Sequence, residues 1–251
     1  MNKIILATGS DLNYLPKMST YLKSIEKNSN FDKNILVFLN NSKINLPYKK
    51  INIVNVYPES VKQPSPINCL QHGDFLNSPE WDEIAEDNDI ICFTDGDMNL
   101  QRNLTEKEIN MIRLFYDGDV FVGYNASPDD TLLNEYHRLS PRCALSNDFK
   151  YIDKIKVYNT GVLMMNKKTW KILLNEYIEK YPEIDPVFGH YAKQQWLISY
   201  IINTNNYFNV IEMGYHLHNH THYKSPKGSV MDNSGIVRFN NDIVLFKHKW
   251  F

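Results

Sequence analysis

Apolar and polar positions divide the chain into short, unbroken apolar runs separated by amphipathic segments. Lys3 to Thr8, Asn34 to Leu39 and Ile51 to Val56 are runs of strand length, and such runs read as strands buried on both faces. After the first, Gly9 to Asn13 is a polar loop, and Pro16 to Lys27 places Met18, Leu22 and Ile25 at helical spacing. Strands alternating with helices predict an α/β fold with a mostly parallel sheet flanked by helices. Further on, Asp74 to Glu86 is predicted helical. Thr105 to Tyr116 is predicted as a helix with Thr105 as N-cap and Glu108 three residues later, a capping-box pattern.

Asp119 to Tyr124 and Val157 to Asn166 read as strands, the second broken by Asn159-Thr160-Gly161. Lys168 to Lys180 and Gln194 to Ile202 read as helices, the latter with Leu197, Tyr200 and Ile201 inward. Between these, Asn125 to Asp153 is polar and weakly periodic, and is expected to be a loop-rich lid or acceptor-binding excursion. Ile243 to Phe251 is expected to be a strand flowing into Lys247, His248 and Lys249.

The stretch with most chemistry is Asp89 to Met98, D-I-I-C-F-T-D-G-D-M. It reads as a buried strand with carboxylates emerging at its carboxyl end, where ligands bind in open α/β sheets. On an extended chain residues i and i+2 point the same way, so Asp95 and Asp97 can address one cation, and Gly96 leaves room for a ligand to approach. Hard oxygen ligands there suit Mg²⁺ or Mn²⁺. Two blander readings compete. One is a solvated acidic turn. The other is a calcium loop, because Asp95, Asp97, Asn99, Gln101, Asn103 and Glu106 take EF-hand ligand places, although Leu100 stands where that loop needs Gly.

Histidines raise two further possibilities. His72 stands between Gln71 and Gly73 just ahead of the acidic strand. His216, His218, His220 and His222 alternate within Tyr215 to Tyr223, and on an extended segment they share one face, which raises zinc binding. No acidic general base stands within that run.

Composition excludes more than it identifies. The chain has 251 residues, 43% of them apolar, and a formal charge of −2, so it can bury a sizeable core and carries no global basic field for a stable nucleic-acid partner. Cys69, Cys92 and Cys143 are far apart and have no zinc spacing; they suit reduced thiols and a cytoplasmic location. No apolar run approaches membrane-spanning length, so membrane contact is expected to be peripheral at most.

Three motifs in order, A-T-G-S-D-L-N-Y, F-T-D-G-D-M and Y-N-T-G-V-L-M-M-N, with K-Q-Q-W-L after them, resemble glycosyltransferases of the GT-A fold. The resemblance is to family 8, the glycogenin and lipopolysaccharide galactosyltransferase group, and covers most of the chain. It implies a Rossmann-like GT-A sheet in one domain over residues 1–251, with a nucleotide-binding half at 1–124 and an acceptor and sugar-binding half at 125–251. It also implies a nucleotide-diphosphate sugar, commonly a UDP-sugar, as donor, a divalent cation, and a glycan, glycolipid or other hydroxyl acceptor. Ala7, Thr8, Asp11, Asn13 and Tyr14 match the nucleoside loop, with Tyr14 stacking on the base. Asp95 and Asp97 match the D-x-D pair on metal and diphosphate. Asn159, Thr160 and Gly161 match the turn around the donor sugar, and Gln194 the polar residue near the anomeric carbon. Gln71 is assigned to the donor side.

Two departures matter. The family's D-Q is K-Q here, with Lys193 in the acidic place. The family's closing H-x-x-G-x-x-K-P-W is reduced to F-K-H-K-W. His248 is then the third metal ligand, with His218 or His220 competing, and Lys247 or Lys249 contacts the diphosphate. If configuration inverts, a carboxylate must deprotonate the acceptor, and Asp129, Asp130 and Asp185 are the candidates. Retention, which the resemblance implies, needs no dedicated base.

Three other functions remain in competition. A sugar-1-phosphate nucleotidyltransferase wants a glycine-rich first loop with a basic residue, which A-T-G-S-D-L-N-Y lacks. An aspartyl phosphohydrolase places D-x-D after its first strand, whereas three strands precede it here. Lys193 keeps open a catalytically silent nucleotide-sugar binding module.

Overall fold

The structure is a computed structural model that describes residues 2–39, 44–56, 79–124, 128–139, 151–181, 190–220 and 226–248. Its centre is a seven-stranded sheet in the order β3-β2-β1-β4-β7-β6-β8. The strands are β1 (Ile4–Ser10), β2 (Lys33–Leu39), β3 (Ile51–Val56), β4 (Ile90–Thr94), β6 (Asp119–Tyr124), β7 (Tyr158–Asn166) and β8 (Asn209–Met213). β1, β2, β3 and β4 pair in parallel, as do β6 and β8, while β7 runs antiparallel to both of its neighbours. The expected mostly parallel sheet is therefore present, with one reversed strand near its middle. Its strands come from both sides of residue 124.

The unbroken apolar runs are explained by burial on both faces. Ile5, Ala7, Ile91, Phe93, Val120, Val122, Leu163 and Met165 face one core. Against it pack Trp170, Leu173, Leu174 and Tyr177 of α5 (Lys167–Lys180), and Trp196, Leu197 and Ile201 of α6 (His190–Thr204). Ile4, Leu6, Ile90, Cys92, Phe121, Val162 and Met164 face the other core, which is closed by Tyr21, Leu22 and Ile25 of α1 (Ser19–Asn28). The alternation along β1 and β4 is thus apolar to both sides.

Several elements differ from the sequence expectations. Of the helix expected over Asp74 to Glu86, 74–78 lie outside the described residues, and the described part is α2 (Pro79–Ile84), which ends before Glu86. The one expected to reach Tyr116 is α3 (Glu106–Ile112). Its capping box is formed as expected, but the chain then turns, with Tyr116 N–H donating to Oδ2 of Asp119 at 2.9 Å and Gly118 at φ +92°. Within the supposed loop 125–153 lies a helix, α4 (Leu132–Leu139). It is anchored by Trp196, whose indole N–H donates to the Leu132 carbonyl at 3.0 Å. The terminal run is two pieces, β12 (Asp242–Ile243) and β13 (Phe246–His248), and β12 joins β10 (Ser229–Met231) and β11 (Val237–Phe239) in a small antiparallel sheet.

The piece of architecture that positions the site is a second three-stranded sheet, β5-β13-β9, formed by β5 (Met98–Leu100), β13 and β9 (His218–His220). β13 pairs antiparallel with β5, setting His248 opposite Met98, and parallel with β9, setting Phe246 opposite His218. Leu100 and Phe246 are fully buried here, so apolar packing holds the small sheet against the second core. This pairing removes the calcium-loop reading, because Asn99 and Leu100 lie in a strand.

Candidate functional site

β4 delivers the D-G-D sequence at its carboxyl end. After Thr94 the N–H of Asp95 donates to the Gly161 carbonyl at 2.9 Å, and the chain passes through Gly96 and Asp97 straight into β5. Because β5 pairs with β13, Asp97 arrives beside His248, whose Nε2 lies 3.2 Å from Asp97 Oδ1. Asp95, Asp97 and His248 each offer a ligand atom, and these atoms all lie within 4.8 Å of one another. His248 is buried and the Asp97 side chain is about a third exposed, 32%. Two carboxylates and an imidazole form a donor set that fits Mg²⁺ or Mn²⁺ with water or substrate oxygens completing the shell. This is the trio expected from the sequence.

Three glycines shape the site. A β-carbon at Gly161 would fall 2.5 Å from Cε1 of His248 and 2.8 Å from Oδ1 of Asn159. One at Gly123 would fall 2.0 Å from Nδ1 of His218. At Gly96, which was expected to make room for a ligand, the room is taken by protein: a β-carbon there would fall 2.6 Å from Cε1 of Tyr14 and 2.9 Å from Cγ of Met18. Tyr14 is thereby held directly against the D-G-D turn.

The first loop is ordered by its own polar groups. Thr8 donates its hydroxyl to the Thr94 carbonyl at 2.9 Å, tying β1 to β4, and Ala7 is fully buried in the sheet. Asp11 accepts from the Tyr14 N–H at 2.7 Å, which sets up the 3₁₀ turn Leu15–Met18. Asn13 is exposed, and the Lys17 ammonium lies 5.7 Å from the centre of the Tyr14 ring.

On the other side, β7 leaves register with β6 between Val122 and Gly123. Within the resulting bulge the Gly161 N–H donates to Oδ1 of the buried Asn159 at 2.9 Å. The Asn159–Gly161 turn and the D-G-D turn are thus fastened to each other through Asp95 and Gly161.

The Lys247 ammonium donates to the Gly235 carbonyl at 3.0 Å and approaches the Met231 sulfur, and burial lowers its pKa. Strand alternation puts it on the face of β13 opposite His248. Asp130 is buried, its carbonyl accepts from the Val157 N–H, and it is not part of the carboxylate–imidazole group. Asp129 is exposed. Gln194 lies in the first half of α6, and its side chain lies outside the described residues, as do the side chain of His220 and all of Gln71, His72, Asp185, His222 and Lys249. Of the two histidines of the run whose side chains are described, His216 packs edge-on against Phe239 with ring centres 4.8 Å apart, whereas His218 is buried against His248.

Two features were missed by sequence reasoning. Nε2 of His218 lies 3.3 Å from Nδ1 of His248, a hydrogen bond between the two buried rings. Beside Gly123, Glu212 of β8 accepts from the Lys156 ammonium at 2.7 Å and from the Tyr158 hydroxyl at 3.3 Å. Burial pushes the Glu212 carboxyl up, but Lys156 and the hydroxyls of Tyr124 and Tyr158 outweigh it and leave its pKa lowered. Tyr124 and Tyr215 pack with ring centres 5.2 Å apart. A lone acid inside the apolar run N-V-I-E-M was the available signal for this cluster.

Neither a protein-family profile nor a curated protein matches the sequence. The fold does have relatives among solved structures. One is the crystal structure of the galactosyltransferase LgtC in complex with donor and acceptor sugar analogues, matched at a TM-score of 0.53 and 15% identity, over 85% of this chain and 74% of that one. At that identity the likeness shows a shared fold, the GT-A arrangement of a central sheet flanked by helices.

Proposed function

We propose that the protein transfers a glycosyl group from a nucleotide-diphosphate sugar, most simply a UDP-sugar, to an acceptor hydroxyl. The observation that carries this reading is the convergence of Asp95, Asp97 and His248 at the carboxyl end of β4, fastened by the Asp95–Gly161 hydrogen bond to the Asn159–Gly161 turn. A cation site, a nucleoside loop and a turn for a sugar then border one another, on a fold shared with a galactosyltransferase.

In this reading Asp95, Asp97 and His248 would hold Mn²⁺ or Mg²⁺, which when bound would supply Lewis-acid compensation for charge growing on the departing diphosphate. Tyr14, pressed against Gly96, offers its ring to the base, with Ala7, Thr8, Asp11 and Asn13 forming the loop around the nucleoside. Asn159 and Gly161 are assigned to the donor sugar, and Gln194 is assigned to the anomeric carbon. Gln71 is assigned to the donor, and Lys247 or Lys249 to the diphosphate; for Lys247 this requires leaving the Gly235 carbonyl. The bond from anomeric carbon to phosphate oxygen breaks and one to the acceptor oxygen forms. With retention, the acceptor proton passes to the departing diphosphate. Asp130 is the base if configuration inverts. The acceptor is a glycan, glycolipid or other hydroxyl compound, and no helix among the described residues is long and apolar enough to cross a membrane. We take residues 1–251 as one catalytic unit, with the nucleotide side before residue 125 and the acceptor side after it.

Thermal melting tests the assignment. A UDP-sugar with Mn²⁺ is expected to raise the melting temperature, and Asp97→Ala to remove the shift. Stabilisation by UTP or CTP with a sugar 1-phosphate, and none by any nucleotide sugar, would contradict it.

A further inference from the structure

The imidazole of His248 faces Asp97 with one nitrogen and a second buried imidazole with the other. His218 and His248 are 2% and 1% exposed, their ring centres lie 5.5 Å apart and their planes are inclined by 29°. The parallel pairing of β9 with β13 sets His218 opposite Phe246, two residues from His248 along the strand, so the two side chains lie on the same face of the small sheet. The seat for both rings is made at one irregularity. Where β6 and β7 leave register, Gly123 on β6 lies against Nδ1 of His218, and Gly161 on β7 lies against Cε1 of His248. Neither approach tolerates a β-carbon.

We propose that His218 is a positioning residue of the cation site, accepting a hydrogen bond from Nδ1–H of His248 so that Nε2 of His248 is left bare toward Asp97 and Asp95. A neutral imidazole carries one proton, and the nitrogen that binds a cation must be the other one. If the His248 proton sat on Nε2, it would point at Oδ1 of Asp97 and close the space between them. Placing it on Nδ1 needs an acceptor at that edge, and Nε2 of His218 stands there at 3.3 Å. His218 then holds its own proton on Nδ1. Metal-binding histidines characteristically donate their second ring N–H to an acceptor, most often a carboxylate, a backbone carbonyl or water, which fixes both tautomer and ring orientation. Here the partner is a second histidine locked by Gly123.

The inference rests on the cation reading of the preceding subsection, and the test separates the two. Mn²⁺ binding to the full chain is measured by titration calorimetry for the wild type, Asp97→Asn, His218→Gln and His218→Met. Glutamine places an amide near the position of Nε2, while methionine has similar length and volume with no comparable hydrogen bond. The methionine variant is expected to bind Mn²⁺ about 10–100-fold more weakly, and the glutamine variant to recover most of that loss. A merely structural role would lower the stability of both variants and leave Mn²⁺ affinity the same in the two. No binding by the wild type sinks the cation reading itself. Wild-type binding lost in Asp97→Asn, with equal affinities in the two His218 variants, overturns only the role of His218. If a variant fails to fold, ¹⁵N-histidine spectra of the wild type with Mg²⁺ still decide: a proton on Nδ1 of His248 supports the proposal, and a proton on Nε2 refutes it.

Discussion

The backbone of Gly161 lies against the imidazole of His248, with no space between them for so much as a methyl group. The same glycine accepts the Asp95 N–H through its carbonyl and donates its own N–H to Asn159. One residue therefore sets the distance between the Asn159–Gly161 turn, the first carboxylate and the histidine. Gly161→Ala is expected to cost about 1–3 kcal/mol by overpacking, and to weaken Mn²⁺ binding along with stability. Denaturant unfolding and a Mn²⁺ titration check both parts. Unchanged Mn²⁺ affinity in the folded variant would show that the His248 ring does not depend on this contact.

Gly96 makes a separate prediction because its missing side chain is replaced by Tyr14 and Met18. Gly96→Ala is expected to push Tyr14 off the D-G-D turn while leaving Asp95 and Asp97 in the chain. Affinity for free UDP, measured by calorimetry, should fall further than affinity for Mn²⁺ alone. An equal fall in both would place Tyr14 outside the nucleoside site.

Glu212 and Lys156 give a pH signature. The folded pKa of Glu212 is lowered: burial raises it, and the hydrogen bonds from Lys156, Tyr124 and Tyr158 more than offset that. A depressed carboxyl contributes stability that is present above its unfolded value of about 4.3 and is lost as pH falls through the folded value. The folded pKa of Lys156 is raised, chiefly by its bond to Glu212. Its contribution is present below about 10.4 and is lost as pH rises through the folded value. The melting temperature of the wild type should therefore exceed that of Glu212→Gln across the neutral range, and the gap should narrow at both acid and alkaline extremes. The pair is partly exposed, so the gap at neutral pH should be small and reduced by salt. A gap that widens in acid would contradict the assignment.

Much of this was legible in the sequence, for reasons visible in particular residues. β1 and β4 are buried on both faces, so continuous apolar runs ending in A-T-G-S and T-D-G-D announced both the strands and the polar residues at their ends. The α3 capping box was readable because Thr105 and Glu108 act within one turn. What local pattern could not supply was pairing between distant segments. His248 approaches Asp97 only because β13 lies beside β5, and His218 reaches His248 only because β9 lies on the other side. α4 was hidden because Asn134, Glu135 and His137 dilute the apolar signal of a short helix whose hold is the bond from Trp196 to the Leu132 carbonyl. The resemblance assigns Lys247 or Lys249 to the diphosphate, and only strand pairing shows that Lys247 stands on the face of β13 opposite His248, with its ammonium on the Gly235 carbonyl.

The central claim is tested most directly by incubating the full chain with a panel of UDP- and GDP-sugars and measuring release of the nucleoside diphosphate. Release from one or more of these donors is expected with Mn²⁺ or Mg²⁺, is expected to stop with a chelator, and is expected to be lost in Asp97→Asn while that variant remains folded. A folded wild type that neither binds nor turns over any nucleotide sugar, or that releases pyrophosphate from a nucleoside triphosphate and a sugar 1-phosphate, would contradict the account.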